Sequence, residues 1–302
     1  MIGSQESQER DRTIPVQKSM DEAPLIIYEA DQRFRLGLLG SLFCMFGNLL
    51  RSRELVWQLV KRDLLSVRKY SALGLSWIVL SPIVGIASWV FMDYAGMLRP
   101  GDVVIPYPVY VLFGTTIWGL FMSSYHSAAQ SLTSSGPLLL QVNFPHEALV
   151  VQQIAQNAIG LVANISVLFI VLALFGVWPS WHAVFLPLVL MPLLALGIAI
   201  GIFVSVLTVV VRDVSKVVAA GLGLLMFVTP VIYAPQLPNQ DLQSIISWNP
   251  LSYLVGGARD LVLVGSIDQL GGFAWASCFS VVMLLLSWRL FFVSEQKVAE
   301  RS

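Results

Sequence analysis

The sequence predicts an all-helical integral membrane protein, and three observations carry that prediction. Of its 302 residues, 56% are hydrophobic and only 12% charged, about half the charged share of an ordinary soluble domain. Mean hydropathy is +0.75. Apolar runs long enough to span a bilayer recur along the chain, with the basic residues gathered at alternate ends of them. The formal net charge is zero, which gives no reason to expect a nucleic-acid partner.

The elements follow in order. Residues 1–50 are expected to form a cytoplasmic N-terminal extension. Its first 24 residues are polar and mixed in charge, which predicts a mobile tail and no cleaved signal peptide. Within it, LGLLGSLFCMFGNLL (36–50) is apolar but fifteen residues long, and it lies between Arg33, Arg35 and Arg51, Arg53. A crossing there would strand one arginine pair outside, so the segment reads as interfacial. Residues 51–72 predict an amphipathic interfacial helix. Val56, Leu59, Val60, Leu64 and Val67 fall on one face, and Arg53, Lys61, Arg62, Arg68 and Lys69 on the other. Such a helix lies along the inner leaflet with its cations toward anionic lipid.

Residues 73–293 are expected to hold six transmembrane helices: Leu73 to Tyr94, Tyr107 to Ala129, Ala148 to Phe175, Ala183 to Val211, the shorter Val217 to Tyr233, and Gly272 to Phe292. Lys216 can snorkel at the start of the fifth. Between the last two spans, SIISWNPLSYLVGGARDLVLVG is apolar but interrupted. Asn249 and Pro250 break helix, Gly256 and Gly257 loosen it, and Arg259 with Asp260 is costly in hydrocarbon. The segment is therefore expected to dip into the outer leaflet as re-entrant helices, an ordinary outer loop being the alternative. Residues 294–302 form a short cytoplasmic tail.

Charge sets the orientation. Eleven Lys and Arg lie in residues 1–70, two at Arg212 and Lys216, and three at Arg289, Lys297 and Arg301. The opposite loops hold only Arg99 and Arg259. Both termini are accordingly placed in the cytoplasm.

Several chemistries are missing from the sequence. There is no GxxxxGK[ST] phosphate loop, no HExxH and no CxxC. His126, His146 and His182 stand far apart near span ends, and Cys44 and Cys278 read as buried, unpaired thiols. No metal site and no catalytic residue is expected. Acidic residues sit only at span edges, which argues against a self-powered secondary carrier and against a membrane-embedded transferase. The spans instead carry Gly197 and Gly201 at helix-packing spacing, and Gln152, Gln153, Gln156, Asn157 and Asn164 along the third. Aromatics are frequent: Trp77, Trp89, Tyr94, Trp118 and Tyr125 in the first two spans, Phe227 and Tyr233 in the fifth. They read either as interfacial belt or as the lining of a route on which a sugar chain could stack.

ELVWQLVKRDLLSVRKYSALGLSWIVLSP, GPLLLQVNFPHEAL, VRDV, TPVIYAPQLP and WNPLSYLVGGARDLVLVG occur in that order over residues 51 to about 295. In this order they resemble the ABC type-2 permeases of polysaccharide exporters, the group that includes O-antigen, capsule and teichoic acid exporters. The resemblance implies a transport subunit of the bacterial inner membrane that is no enzyme itself. It would act as a homodimer with two copies of a separate ATP-binding subunit, which binds the ATP and Mg, and move lipid-linked polysaccharide outward. Gly136, Phe144, Pro145 and Glu147, with Arg212 and Asp213, would couple to the ATPase. Arg53, Lys61, Arg62, Arg68 and Lys69 would guide the lipid head group to a lateral gate between spans one and five. Trp77, Trp89, Tyr94, Trp118, Tyr125, Phe227 and Tyr233 would line the channel, and Asn249, Pro250, Arg259 and Asp260 would form the outer gate. Export of a drug or small lipid on the same architecture is the alternative, with a secondary carrier behind it. The longer N-terminal region, residues 1–50, departs from the family's pattern.

Overall fold

The computed structural model describes residues 76–97, 105–131, 147–236 and 239–299, with residues 54, 57, 58, 61, 101 and 103. The interfacial segment 36–50 lies outside the described residues, as do Arg53, Arg62, Arg68, Lys69, Gly136, Phe144 and Pro145. Glu54, Trp57, Gln58 and Lys61 are helical and exposed, at the spacing of one helix face.

The described residues are all-helical, without a strand. In chain order they form α1 (Ser76–Tyr94), α2 (Tyr107–Gln130), α3 (Glu147–Leu174), a 3-10 turn (Trp181–Phe185), α4 (Leu186–Val210), α5 (Val214–Leu225), α6 (Gln240–Trp248), α7 (Pro250–Leu263) and α8 (Leu270–Ala299). Two segments, Trp181–Thr208 and Leu270–Ser294, are long and apolar enough to cross a membrane, while Gly160–Leu174 and Val214–Leu225 are shorter apolar helical stretches.

The helix ends follow from local chemistry. Gly96 (φ 68°) ends α1, with the Met97 N–H donating to the Met92 carbonyl. Gly176 (φ 70°) ends α3 in the same way, through Val177 and Leu172. Both are left-handed caps that a glycine adopts without steric cost. Asn239 caps α6 by accepting from the Asp241 N–H, and Asn249 caps α7 by accepting from the Leu251 N–H, with Pro250 in the first turn. The predicted break at Asn249 and Pro250 is thus a helix junction. Gly256 and Gly257 do not loosen the chain, because α7 runs continuously through both.

α4 is the hub, packing on α2, α8, α7 and α5. Gly197 and Gly201 make its contact with α2 possible: a Cβ at Gly197 would stand 2.8 Å from the Phe121 carbonyl oxygen, and one at Gly201 2.5 Å from that of Tyr125. Val109, Phe113, Ile117, Phe121, Leu190 and Leu193 fill the interior around that contact. At α7 and α8 the packing is reciprocal, Gly257 receiving Phe273 and Gly272 receiving Tyr253.

Two readings are corrected. Cys278 is exposed on α8 and is not a buried thiol. The helix expected from Val217 to Tyr233 instead ends at Leu225, and residues 226–233 follow as successive turns and bends. Pro230 explains the early stop: it lacks the N–H that would continue the ladder and disfavours helical geometry at Thr229. Twelve residues rise about 18 Å, well short of a hydrocarbon core of about 30 Å.

Candidate functional site

An unwound segment exposes carbonyls that no helix satisfies, and in an apolar bundle each must find another donor. The carbonyl of Thr229 accepts from the Val231 N–H, while those of Pro230 and Val231 find their donors in Arg259. Its Nη1 and Nη2 both donate to the Pro230 carbonyl at 3.2 Å, and Nη2 also donates to that of Val231 at 3.1 Å. Nη1 further donates to the Tyr110 hydroxyl, which in turn donates to the Tyr233 carbonyl at 2.7 Å. The guanidinium carbon lies 3.8 Å from the centre of the Tyr110 ring.

Only glycine fits beside this cluster on α2, since a Cβ at Gly114 would be 2.1 Å from the Val231 carbonyl oxygen. A second clasp ties the same segment to the α6–α7 junction: the Asn249 Nδ2 donates to Thr229 Oγ1 at 2.9 Å, and that hydroxyl donates to the Leu225 carbonyl at 2.9 Å.

Arg259 is 6% exposed, and among the described residues no carboxylate forms an ion pair with it. Among the described residues, its hydrogen bonds all go to neutral oxygens. Burial draws the guanidinium pKa below its usual value, which Tyr110 and Asp260 oppose. Asp260 is half-buried on the next position; burial, and then the negative charge of Asp268, push its carboxyl pKa up. An arginine in hydrocarbon is costly, and here it is withdrawn into protein that supplies carbonyl partners. Beside the cluster a cavity of about 510 Å³ opens between α7, the segment 230–236 and the loop ahead of α2.

The sequence profile of the ABC-2 type transporter family matches residues 54–263. The chain belongs to the ABC-2 type transporter family. Curated relatives agree along most of its length. An O-antigen export system permease protein RfbA from Myxococcus xanthus is 25% identical over 251 residues, covering 82% of this chain and 95% of the relative. Two permeases of the same description from Klebsiella pneumoniae are 25% and 23% identical over 217 residues, each covering 71% of this chain and 82% of the relative.

For this ABC-2 family chain, the structure brings Asn249, Pro250, Arg259 and Asp260 together at one end of the bundle. Arg212 and Asp213 stand at the other end, exposed in the break between α4 and α5. Asp213 meets Lys216 at 3.3 Å there, with side chains 79% and 82% exposed, a surface pair that contributes little. The Tyr125 hydroxyl donates to the Ser215 carbonyl at 2.8 Å and fixes that break to α2.

The aromatics divide. Trp118 and Tyr125 are buried in the core, and Tyr94 is exposed. Trp89 on α1 meets Phe227, just past α5, with ring centres 6.1 Å apart, and Tyr233 belongs to the Arg259 cluster. Trp77 and Glu147 begin or lie within described helices, α1 and α3, and Lys61 is exposed. Sequence reasoning missed Gly114 and Thr229, and it took Tyr110 only as one of the aromatics of the first two spans. Pro230 at the end of a short span was the available signal, because the carbonyls it frees require donors.

Proposed function

We propose that this chain is the transmembrane subunit of an ATP-driven exporter that carries lipid-linked, O-antigen-like polysaccharide out of the cytoplasm. The observation that carries the reading is the match to O-antigen export permeases over 82% of the chain and 95% of a relative's length. A sequence without a phosphate-binding loop fits a subunit whose ATP and Mg are bound by a separate partner.

In this reading two copies of the chain and two ATPases assemble in the bacterial inner membrane. α1 to α4, α5 together with the unwound segment 226–233 that follows it, and α8 provide six crossings with both termini in the cytoplasm, and α6 and α7 are re-entrant at the outer face. Exposed Tyr94, Trp178, Trp181 and Trp248 around the Arg259 end support an outer interface there. Gly136, Phe144, Pro145, Glu147, Arg212 and Asp213 engage the ATPase. Arg53, Lys61, Arg62, Arg68 and Lys69 receive the phosphate-bearing head group by charge-assisted hydrogen bonds. Cargo enters between α1 and α5, where Trp89 meets Phe227. Trp77, Tyr94 and Tyr233 serve the channel, Trp118 and Tyr125 support its wall from the core, and Asn249, Pro250, Arg259 and Asp260 close its outer end.

Gentle purification of the tagged chain from its native membrane tests the reading. A soluble ATPase with a phosphate-binding loop, co-eluting at one copy per permease, is the expected result. Its reproducible absence from a folded, transporting preparation overturns the reading, and transport that persists after ATP depletion favours a carrier.

A further inference from the structure

The cavity beside Arg259 has features that closing the outer end does not require. Arg259 and Ser252 both line it, are 6% and 8% exposed, and each carries a buried polar atom without a hydrogen-bond partner among the described residues: the Arg259 Nε and the Ser252 Oγ. Leaving such groups without a partner costs about 1–3 kcal/mol each, so the protein satisfies the polar groups of this wall incompletely. Both stand on one face of α7, with Gly256 between them. A Cβ at Gly256 would meet nothing within 4 Å, so the cavity reaches the helix backbone itself. Its volume of about 510 Å³ lies within the range of small-molecule sites, about 300–1,000 Å³.

The wall chemistry selects the ligand. Nε–H only donates, the carboxylate of Asp260 accepts when ionised, and the hydroxyl of Ser252 does either. An anion would face Asp260 and Asp268, and an apolar ligand would leave Nε and Oγ unpaired. A neutral polyol satisfies both kinds of group, and the Tyr253 ring, also in the wall, offers an apolar surface for a sugar face. We infer that this cavity is a binding subsite for a neutral sugar unit at the outer end of the permease. The inference rests on the proposed function and deepens it: the subsite would hold a unit of the emerging chain.

The test uses the full-length chain in lipid nanodiscs and neutral gluco-, manno- and galacto-tetrasaccharides, with a tetra-uronate as the anionic probe. Saturation-transfer NMR and calorimetry report binding. At least one neutral probe is expected to bind and the uronate to bind at least tenfold more weakly. Gly256→Phe fills the cavity without a backbone clash and should abolish binding. Ser252→Ala should weaken it about tenfold while leaving thermal stability equal or higher, because it removes an unpaired hydroxyl; it decides the matter should Gly256→Phe fail to fold. No neutral probe binding at millimolar concentration, tighter uronate binding, or unchanged affinity in the folded variants would each overturn the inference. Those results alongside intact polysaccharide export by the wild type refute the subsite alone. A wild type that exports no polysaccharide refutes the proposed function.

Discussion

Replacing Arg259 with leucine removes every donor that reaches the carbonyls of Pro230 and Val231 from α7. Tyr110 keeps its own bond to the Tyr233 carbonyl, so two buried carbonyls are left without these partners. At about 1–3 kcal/mol for each, the loss is roughly 2–6 kcal/mol. Relief from burying a cation without a carboxylate opposes it, and a net local loss of about 2–3 kcal/mol is expected. The loss should appear where the carbonyls are. Amides of residues 226–234 in Arg259→Leu should exchange roughly 30–150-fold faster than in the wild type, at about 1.4 kcal/mol per tenfold. Arg259→Lys should recover part of this protection, since an ammonium still donates but cannot bridge both carbonyls as a planar fork does. A double-mutant cycle with Tyr110→Phe should give a coupling of roughly 0.5–3 kcal/mol. Unchanged exchange at 226–234 in a folded Arg259→Leu variant would refute the assignment of Arg259 as the donor that holds the unwound segment.

Three further outcomes are expected. Gly201→Ala should lower the thermal unfolding midpoint, because its Cβ would stand 2.5 Å from the Tyr125 carbonyl oxygen; Gly160→Ala, where a Cβ meets nothing within 4 Å, should raise it or leave it unchanged. Asn249→Ala loses both the α7 cap and the bond to Thr229 and should cost roughly 1–3 kcal/mol in a denaturant or thermal measurement; Asn249→Asp, which keeps the accepting oxygen but not the donor, should fall between. Asp260→Asn should stabilise the chain at neutral pH. The carboxyl pKa is raised in the fold by burial and then by Asp268, so its charged form carries a penalty above the folded pKa. That penalty is absent below the ordinary value of 3.8, where the group is protonated folded or unfolded. The difference in unfolding midpoint between variant and wild type should therefore shrink as pH falls through the folded pKa, and a difference independent of pH would contradict the linkage.

The membrane class and most helix positions were legible in the sequence because hydrophobic length and helix punctuation act locally. Apolar runs near 20 residues, a proline after Asn249 and glycines at 96 and 176 each constrain their own neighbourhood. Gly197 and Gly201 announced close helix packing, though their spacing could not say whether α2 or another chain would fill it. The end of α5 was misread for the opposite reason. Hydropathy carries the apolar pattern through Phe227 to Tyr233, whereas the backbone there leaves the helix at a proline and is satisfied by residues distant in sequence.

By itself, the sequence determined that this is a helical membrane protein without a nucleotide-binding loop, since composition and motif are properties of the linear chain. Only the tertiary structure decided what Arg259 does. An arginine in an apolar stretch is ambiguous until its partners are known, and those partners, Tyr110 and the carbonyls of Pro230 and Val231, lie 149, 29 and 28 residues away. A buried charge is stabilised by oxygens gathered from separate helices, and that gathering exists only once α2, the end of α5 and α7 have packed together.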